Sequence, residues 1–190
     1  MRGTMMDFQL TIQPILERAG KLFPAVEIVS RRPDRSLKPT TYGEIYRRSR
    51  RLARALELAG MARGDRVATL MWNHSVHLEA YLGVPVSGGV LHTLNLRLHP
   101  DELAYIANHA RDRYLIVDDV LLPVYESFRT KTNFERVFVV PFSGGRFRVH
   151  TKTTKIFFPL RTMNLSIRYW KKMKRRLCVL PPALRGKPKV

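Results

Sequence analysis

The sequence predicts an α/β fold, part of a doubly wound, mostly parallel sheet with flanking helices, followed by a poorly structured basic tail. Three observations carry that reading. Between Gly64 and His109, short apolar runs of strand length (67–71 and 90–94) alternate with longer helix-like stretches. Two further short runs, 114–117 and 136–140, continue the series, the last closed by Pro141. Strands that alternate with helices pack as a parallel sheet between helical layers.

The elements follow in order. Residues 11–22 place Ile12, Ile15, Leu16 and Ala19 on one face, an amphipathic helix expected to end near Gly20. Residues 26–30 suit a strand and 31–39 a polar, proline-bounded loop, so a hairpin fits there. Thr40 or Thr41 caps a helix running to about Leu58, with Glu44 completing a capping box. Its apolar face is Ile45, Leu52, Ala55, Leu56 and Ala59; Arg47, Arg48, Arg50, Arg51 and Arg54 line the other. Such a run is ordinarily a solvated helix face, with contact to phosphates or an acidic lipid surface the alternative.

Gly64-Asp65 make a turn into the first run, and Asn73 or Ser75 caps the helix behind it, which ends at Gly88-Gly89. Pro100-Asp101-Glu102 open another helix, with proline in the first turn and acids at the positive end of the dipole. Asp118-Asp119 follow the third strand at its carboxyl end, where open parallel sheets bind ligands; the simpler role is to cap the helix that runs to Phe128. His74 and His77 stand three apart on a helix, but no carboxylate-rich partner motif joins them into a metal site. Met71, Trp72, Tyr81 and Tyr105 are expected in the core rather than in the wall of a ligand tunnel.

Several segments resemble the AMP-forming acyl-CoA ligases, in particular the bacterial-type medium- and long-chain fatty-acid CoA ligases. They are Gly64-Asp65-Arg66-Val67-Ala68, Trp72-Asn73, His77-Leu78-Glu79, Val90-Leu91-His92-Thr93, Asn95-Leu96-Arg97, and Ala104-Tyr105-Ile106 through Asn108-His109-Ala110. Thr4-Met5-Met6-Asp7 and Thr41-Tyr42 fit the family's opening, so the resemblance spans about residues 4 to 142. Leu96 departs from the proline usual in the family. The resemblance implies that residues 1–142 are the N-terminal part of the family's AMP-binding domain, with His92 and His109 in packing or hydrogen-bonding roles. It also implies ATP, magnesium and coenzyme A as cofactors of the intact enzyme, a fatty acid as substrate, and a homodimer or pairing with a full-length ligase.

The family cradles triphosphate in a loop reading roughly Thr-Ser-Gly-Thr-Thr-Gly-x-Pro-Lys-Gly, whose backbone amides and lysine suit phosphate. No such run stands in this sequence; Ser143-Gly144-Gly145-Arg146 is short and lacks the hydroxyls. A chain of 190 residues matches at most the first third of such a ligase. No residue here is assigned a catalytic, cofactor-binding or metal-binding role, no cofactor is expected for the fragment, and the chain is expected to be inactive alone.

The net charge of +19 is unevenly spread: residues 143–190 hold 14 Lys and Arg and no acid, whereas 1–142 are only mildly basic. Tyr169-Trp170 before the cluster at 171–176 suits a nucleic-acid backbone or anionic headgroups, which makes a non-catalytic scaffold the alternative function. A second origin follows from the genetic code. Moved back by one base, Trp170 before Lys171 and Met173 before Lys174 both yield glutamate codons, and residues 181–187 become, for suitable third bases, Thr-Ser-Gly-Thr-Thr-Gly-Lys. The tail is therefore expected to be a frame-shifted remnant of the family's phosphate loop region, and any helix over 162–177 to be marginal in water. One cysteine, Cys178, excludes an intrachain disulfide, and no apolar run spans a bilayer. The N-terminus has no signal-like apolar core, so the expected location is cytoplasmic, with peripheral membrane contact through the tail as the variant.

Overall fold

The computed structural model describes residues 11–143; Thr4 to Asp7, the basic tail from Gly144, the helix expected over 162–177 and Cys178 lie outside the described residues. Helix α1 (Ile12–Leu22) precedes a hairpin of β1 (Glu27–Arg31) and β2 (Leu37–Thr41), and then α2 (Tyr42–Leu58). Strands β3 (Arg66–Leu70), β4 (Val90–Thr93), β5 (Asp112–Asp118) and β6 (Arg136–Val140) alternate with α3 (Ser75–Val86), α4 (Pro100–Ala110) and α5 (Leu122–Phe128). The four strands are parallel, in the order β4-β3-β5-β6. The α/β class and the partial doubly wound sheet are as expected.

Side chains leave these strands alternately to two helical layers. Val67, Tyr114, Ile116, Phe138 and Val140 pack with Leu52, Leu56, Ala80 and Val84 of α2 and α3. Ala68, Leu70, Leu115, Val117, Val137 and Val139 pack with Leu103, Ala104, Tyr125 and Phe128 of α4 and α5. Burial on both faces is why the strands read as continuous apolar runs rather than alternating ones. Pro141 ends β6, since it has no N–H to continue a ladder.

Helix α2 begins as expected. The Thr41 hydroxyl accepts from the Glu44 amide, and the Glu44 carboxylate accepts from the Thr41 amide, both at 3.2 Å. Arg47, Arg50, Arg51 and Arg54 are exposed, so the arginine run is a solvated face. Arg48, half-buried, bonds Glu79 of α3.

Other expectations are corrected. Helix α1 keeps its expected span to Leu22, but Gly20 lies inside it rather than at its stop; a Cβ there would stand 2.3 Å from the Tyr46 Cβ, so this glycine serves the approach of α2. Of the expected apolar face only Leu16 is buried, while Ile15 is 62% exposed. The segment 31–39 is not all loop, because β2 takes in Pro39 opposite Val29, a position open to proline in a two-stranded ribbon. Met71 is buried, but Trp72, Tyr81 and Tyr105 are exposed rather than core residues.

Candidate ligand crevice at the carboxyl ends of the strands

Parallel sheets bind ligands beyond the carboxyl ends of their strands, where successive loops diverge. Here the segments that follow β3, β5 and β6 meet at that edge, and two adjacent carboxylates organise them. The fully buried Asp118 accepts from the Trp72 backbone N–H at 2.8 Å and faces His74 Nε2 at 3.0 and 3.1 Å. Asp119 Oδ1 accepts from the backbone N–H groups of Phe142 and Ser143, each at 3.0 Å, and the Ser143 hydroxyl donates to Oδ2. One carboxylate thus holds the exit of β3 and the other the exit of β6.

His74 joins the two. Its Nδ1 accepts from the Val76 N–H at 3.2 Å, which places the ring proton on Nε2, directed at Asp118. Its ring stacks on Phe142, centroids 4.3 Å apart and planes 14° from parallel. His74, and neither Asn73 nor Ser75, therefore caps α3; the Ser75 amide instead donates to Ser30 Oγ of the hairpin at 2.9 Å. Asp118 makes no capping bond to the helix that follows β5, and Asp119 bonds only the adjacent Val120 amide there. The simple capping role expected for this pair is replaced by cross-strand ties.

The remaining histidines are placed as follows. His77 Nε2 lies 3.0 Å from Thr69 Oγ1, and burial, reinforced by neighbouring His74, lowers its pKa. Among the described residues no group of three or more His, Cys, Asp or Glu side chains could hold a metal ion. His92 bonds Asp112 and His109 stacks on Tyr105, in keeping with the hydrogen-bonding and packing roles expected of them.

The loops line a shallow, open crevice with a cavity volume of about 80 Å³ between the hairpin, the start of α3 and residues 140–143. Arg31, Arg32, Lys38 and Arg48 supply four cations to its lining, and Asp34 and Glu79 two acids. Glu79 pairs with Arg48 at 3.1 Å; burial raises its pKa, which Arg48 and Lys38 pull back down. The cationic excess suits an anionic ligand. Both His74 nitrogens are already committed, so this ring holds the loops together. The hairpin's contribution to the crevice was hidden in the sequence, since Ser30 and Ser75 are 45 residues apart.

An open parallel sheet between two helical layers, with a basic crevice at the carboxyl ends of its strands, is a doubly wound α/β unit. The sequence profile described as AMP-binding enzyme matches residues 16–149, and the chain belongs to that family. A long-chain-fatty-acid–CoA ligase of Thermus thermophilus is 50% identical over 138 residues, 73% of this chain and 26% of the relative. A 3-methylmercaptopropionyl-CoA ligase of Ruegeria lacuscaerulensis is 39% identical over 140 residues, 74% of this chain and 26% of the relative. Among solved structures, an anthranilate CoA ligase in complex with anthranoyl-AMP superposes with a TM-score of 0.62 at 25% identity, over 73% of this chain and 26% of its own. The chain thus spans about a quarter of the length of the curated relatives it matches. No helix among the described residues is long and apolar enough to cross a membrane.

Proposed function

We propose that residues 1–142 are the N-terminal part of the AMP-binding domain of a medium- or long-chain fatty-acid CoA ligase. That enzyme adenylates a fatty carboxylate with ATP and then transfers the acyl group to the thiol of coenzyme A. The half-identical match to the Thermus thermophilus ligase carries the reading. In this reading the segment is not by itself a seat for ATP and magnesium, and the spent amides at its carboxyl edge support that. At the carboxyl edge, where a phosphate cradle needs unspent amides, those of Trp72, Phe142 and Ser143 are taken by Asp118 and Asp119, and that of Ser75 by Ser30. What this segment contributes is the sheet and the loop framework on which such a seat would be built. By themselves the 190 residues do not adenylate an acid.

Replacing the matching segment of the Thermus thermophilus ligase with residues 11–142 tests the assignment. The chimera is expected to form fatty acyl-CoA; a folded, soluble chimera with no thioester formation would count against it.

Residues 143–190 form, in this proposal, a separate basic segment of frame-shifted origin, which sequencing the gene checks directly: a shifted frame without the phosphate loop refutes it. The charge of that segment, 14 cations and no acid, also supports a second reading, a non-catalytic scaffold that docks on nucleic acid or an anionic membrane. Binding through phosphate contacts falls steeply as salt rises and disappears with residues 143–190 removed. Pairing with a full-length ligase is the third role, and size exclusion of the mixture reads it.

A further inference from the structure

We propose that Asp119 is a positioning residue for the crevice: it fixes the chain at its exit from β6 and so holds Phe142 against His74. The inference rests on geometry alone and does not need the ligase reading. Pro141 ends the ladder, and the Phe142 amide beyond it turns back to donate to the Val140 carbonyl at 2.8 Å. Asp119 shares the Phe142 N–H and accepts the Ser143 N–H, each at 3.0 Å, across 23 and 24 residues of sequence. The Ser143 hydroxyl closes onto its second oxygen. Oδ1 also accepts from the adjacent Val120 amide, but both carboxylate oxygens reach this dipeptide, and its ring forms the stack on His74.

The neighbouring Asp118 fixes the other partner of the stack. It orients the His74 ring through Nε2 and holds the backbone at Trp72. Two consecutive carboxylates therefore place the two rings, one each. The His74 and Phe142 side chains both line the crevice, so its wall between the hairpin and β6 depends on this pairing. With Asp119 removed, Phe142 keeps only its local bond to Val140 and loses its tie to the end of β5, while the sheet beneath is untouched.

The test is nuclear magnetic resonance on the 190-residue chain, comparing wild type with Asp119→Ala and Asp119→Asn. In Asp119→Ala, hydrogen exchange at the Ser143 amide should rise by at least about tenfold, the loss expected for a bond to a charged acceptor, with a smaller rise at Phe142, whose amide keeps its bond to the Val140 carbonyl. The His74 ring-proton resonances should also lose the ring-current shift imposed by Phe142, moving to their position in Phe142→Leu. Asp119→Asn keeps one acceptor oxygen and should restore part of both signals. The Ile116 and Phe138 amides report that the sheet is intact. Unchanged exchange and an unchanged His74 resonance in folded Asp119→Ala would overturn the proposal. If that variant does not fold, Ser143→Ala replaces it: faster exchange of the same two amides supports the clamp, and wild-type exchange overturns it.

Discussion

His92 Nδ1 lies 2.8 Å from Asp112 Oδ2, and the Asp112 side chain is wholly buried at the amino-terminal edge of the sheet while His92 stays partly open to solvent. Burial raises the Asp112 pKa, and His92 is the main influence drawing it back. A carboxyl group whose folded pKa is raised adds stability below its unfolded value, and loses that stability as pH climbs through the folded value. Removing His92 raises the folded value further. His92→Ala should therefore cost little near pH 4 and about 1–3 kcal/mol near pH 7, where an ionised carboxylate is left buried without its partner. Adding Asp112→Asn should remove the pH dependence. Urea unfolding at both pH values checks it, and an equal deficit at each would contradict the assignment.

Gly83 is where α3 touches α2. A Cβ there would meet the Ser49 backbone oxygen at 2.7 Å, with Leu52 Cδ2 at 3.2 Å, and the nearer atom is backbone and cannot rotate away. Gly83→Ala should destabilise by about 1–3 kcal/mol despite the better helix propensity of alanine. Thermal unfolding decides; a gain in stability would show that the two helices have room to part.

The capping box of α2 is separable from packing. Thr41→Ala removes the acceptor for the Glu44 amide and should cost about 1 kcal/mol. Glu44→Ala in the Thr41→Ala background should then cost less than it does alone, because the two bonds form one reciprocal unit. Additive losses in denaturant titrations would argue against the coupling.

Leu103 is fully buried on the α4 face of the sheet, among Ala68, Leu115 and Val117. Leu103→Ala should cost about 2–5 kcal/mol from lost burial and a residual cavity. Tyr105→Ala, two residues on and 69% exposed, should change stability by no more than about 0.5 kcal/mol. Comparable losses at the two positions would contradict the two-layer core.

The parts of this fold that were legible in the sequence are those whose causes are local. Strand β6 carries the expected limits, β3 and β4 fall within a residue of theirs, and Thr41 and Glu44 cap α2 as expected. A short apolar run bounded by turn residues, or a hydroxyl three residues before a glutamate, contains its own explanation. Long-range causes were hidden. His74 caps α3 with an imidazole whose orientation is set by Asp118, 44 residues later. Asp118 and Asp119 were legible as residues at a carboxyl edge, but their partners at 72–74 and 142–143 follow only from strand order. Trp72, Tyr81 and Tyr105 misled because aromatic content marks burial on average, while the side each residue faces depends on which neighbours cover it. Helix α3, SVHLEAYLGVPV, is apolar on most sides and offers no periodicity from which to choose.

The central claim is that these 190 residues carry the opening framework of an acid-activating enzyme without the groups that grip a nucleotide's phosphates. ATP–pyrophosphate exchange by the purified chain, across fatty acids of increasing length, tests it most directly. The account predicts no exchange above the protein-free rate at any chain length. Exchange that depends on both the chain and the acid would contradict it.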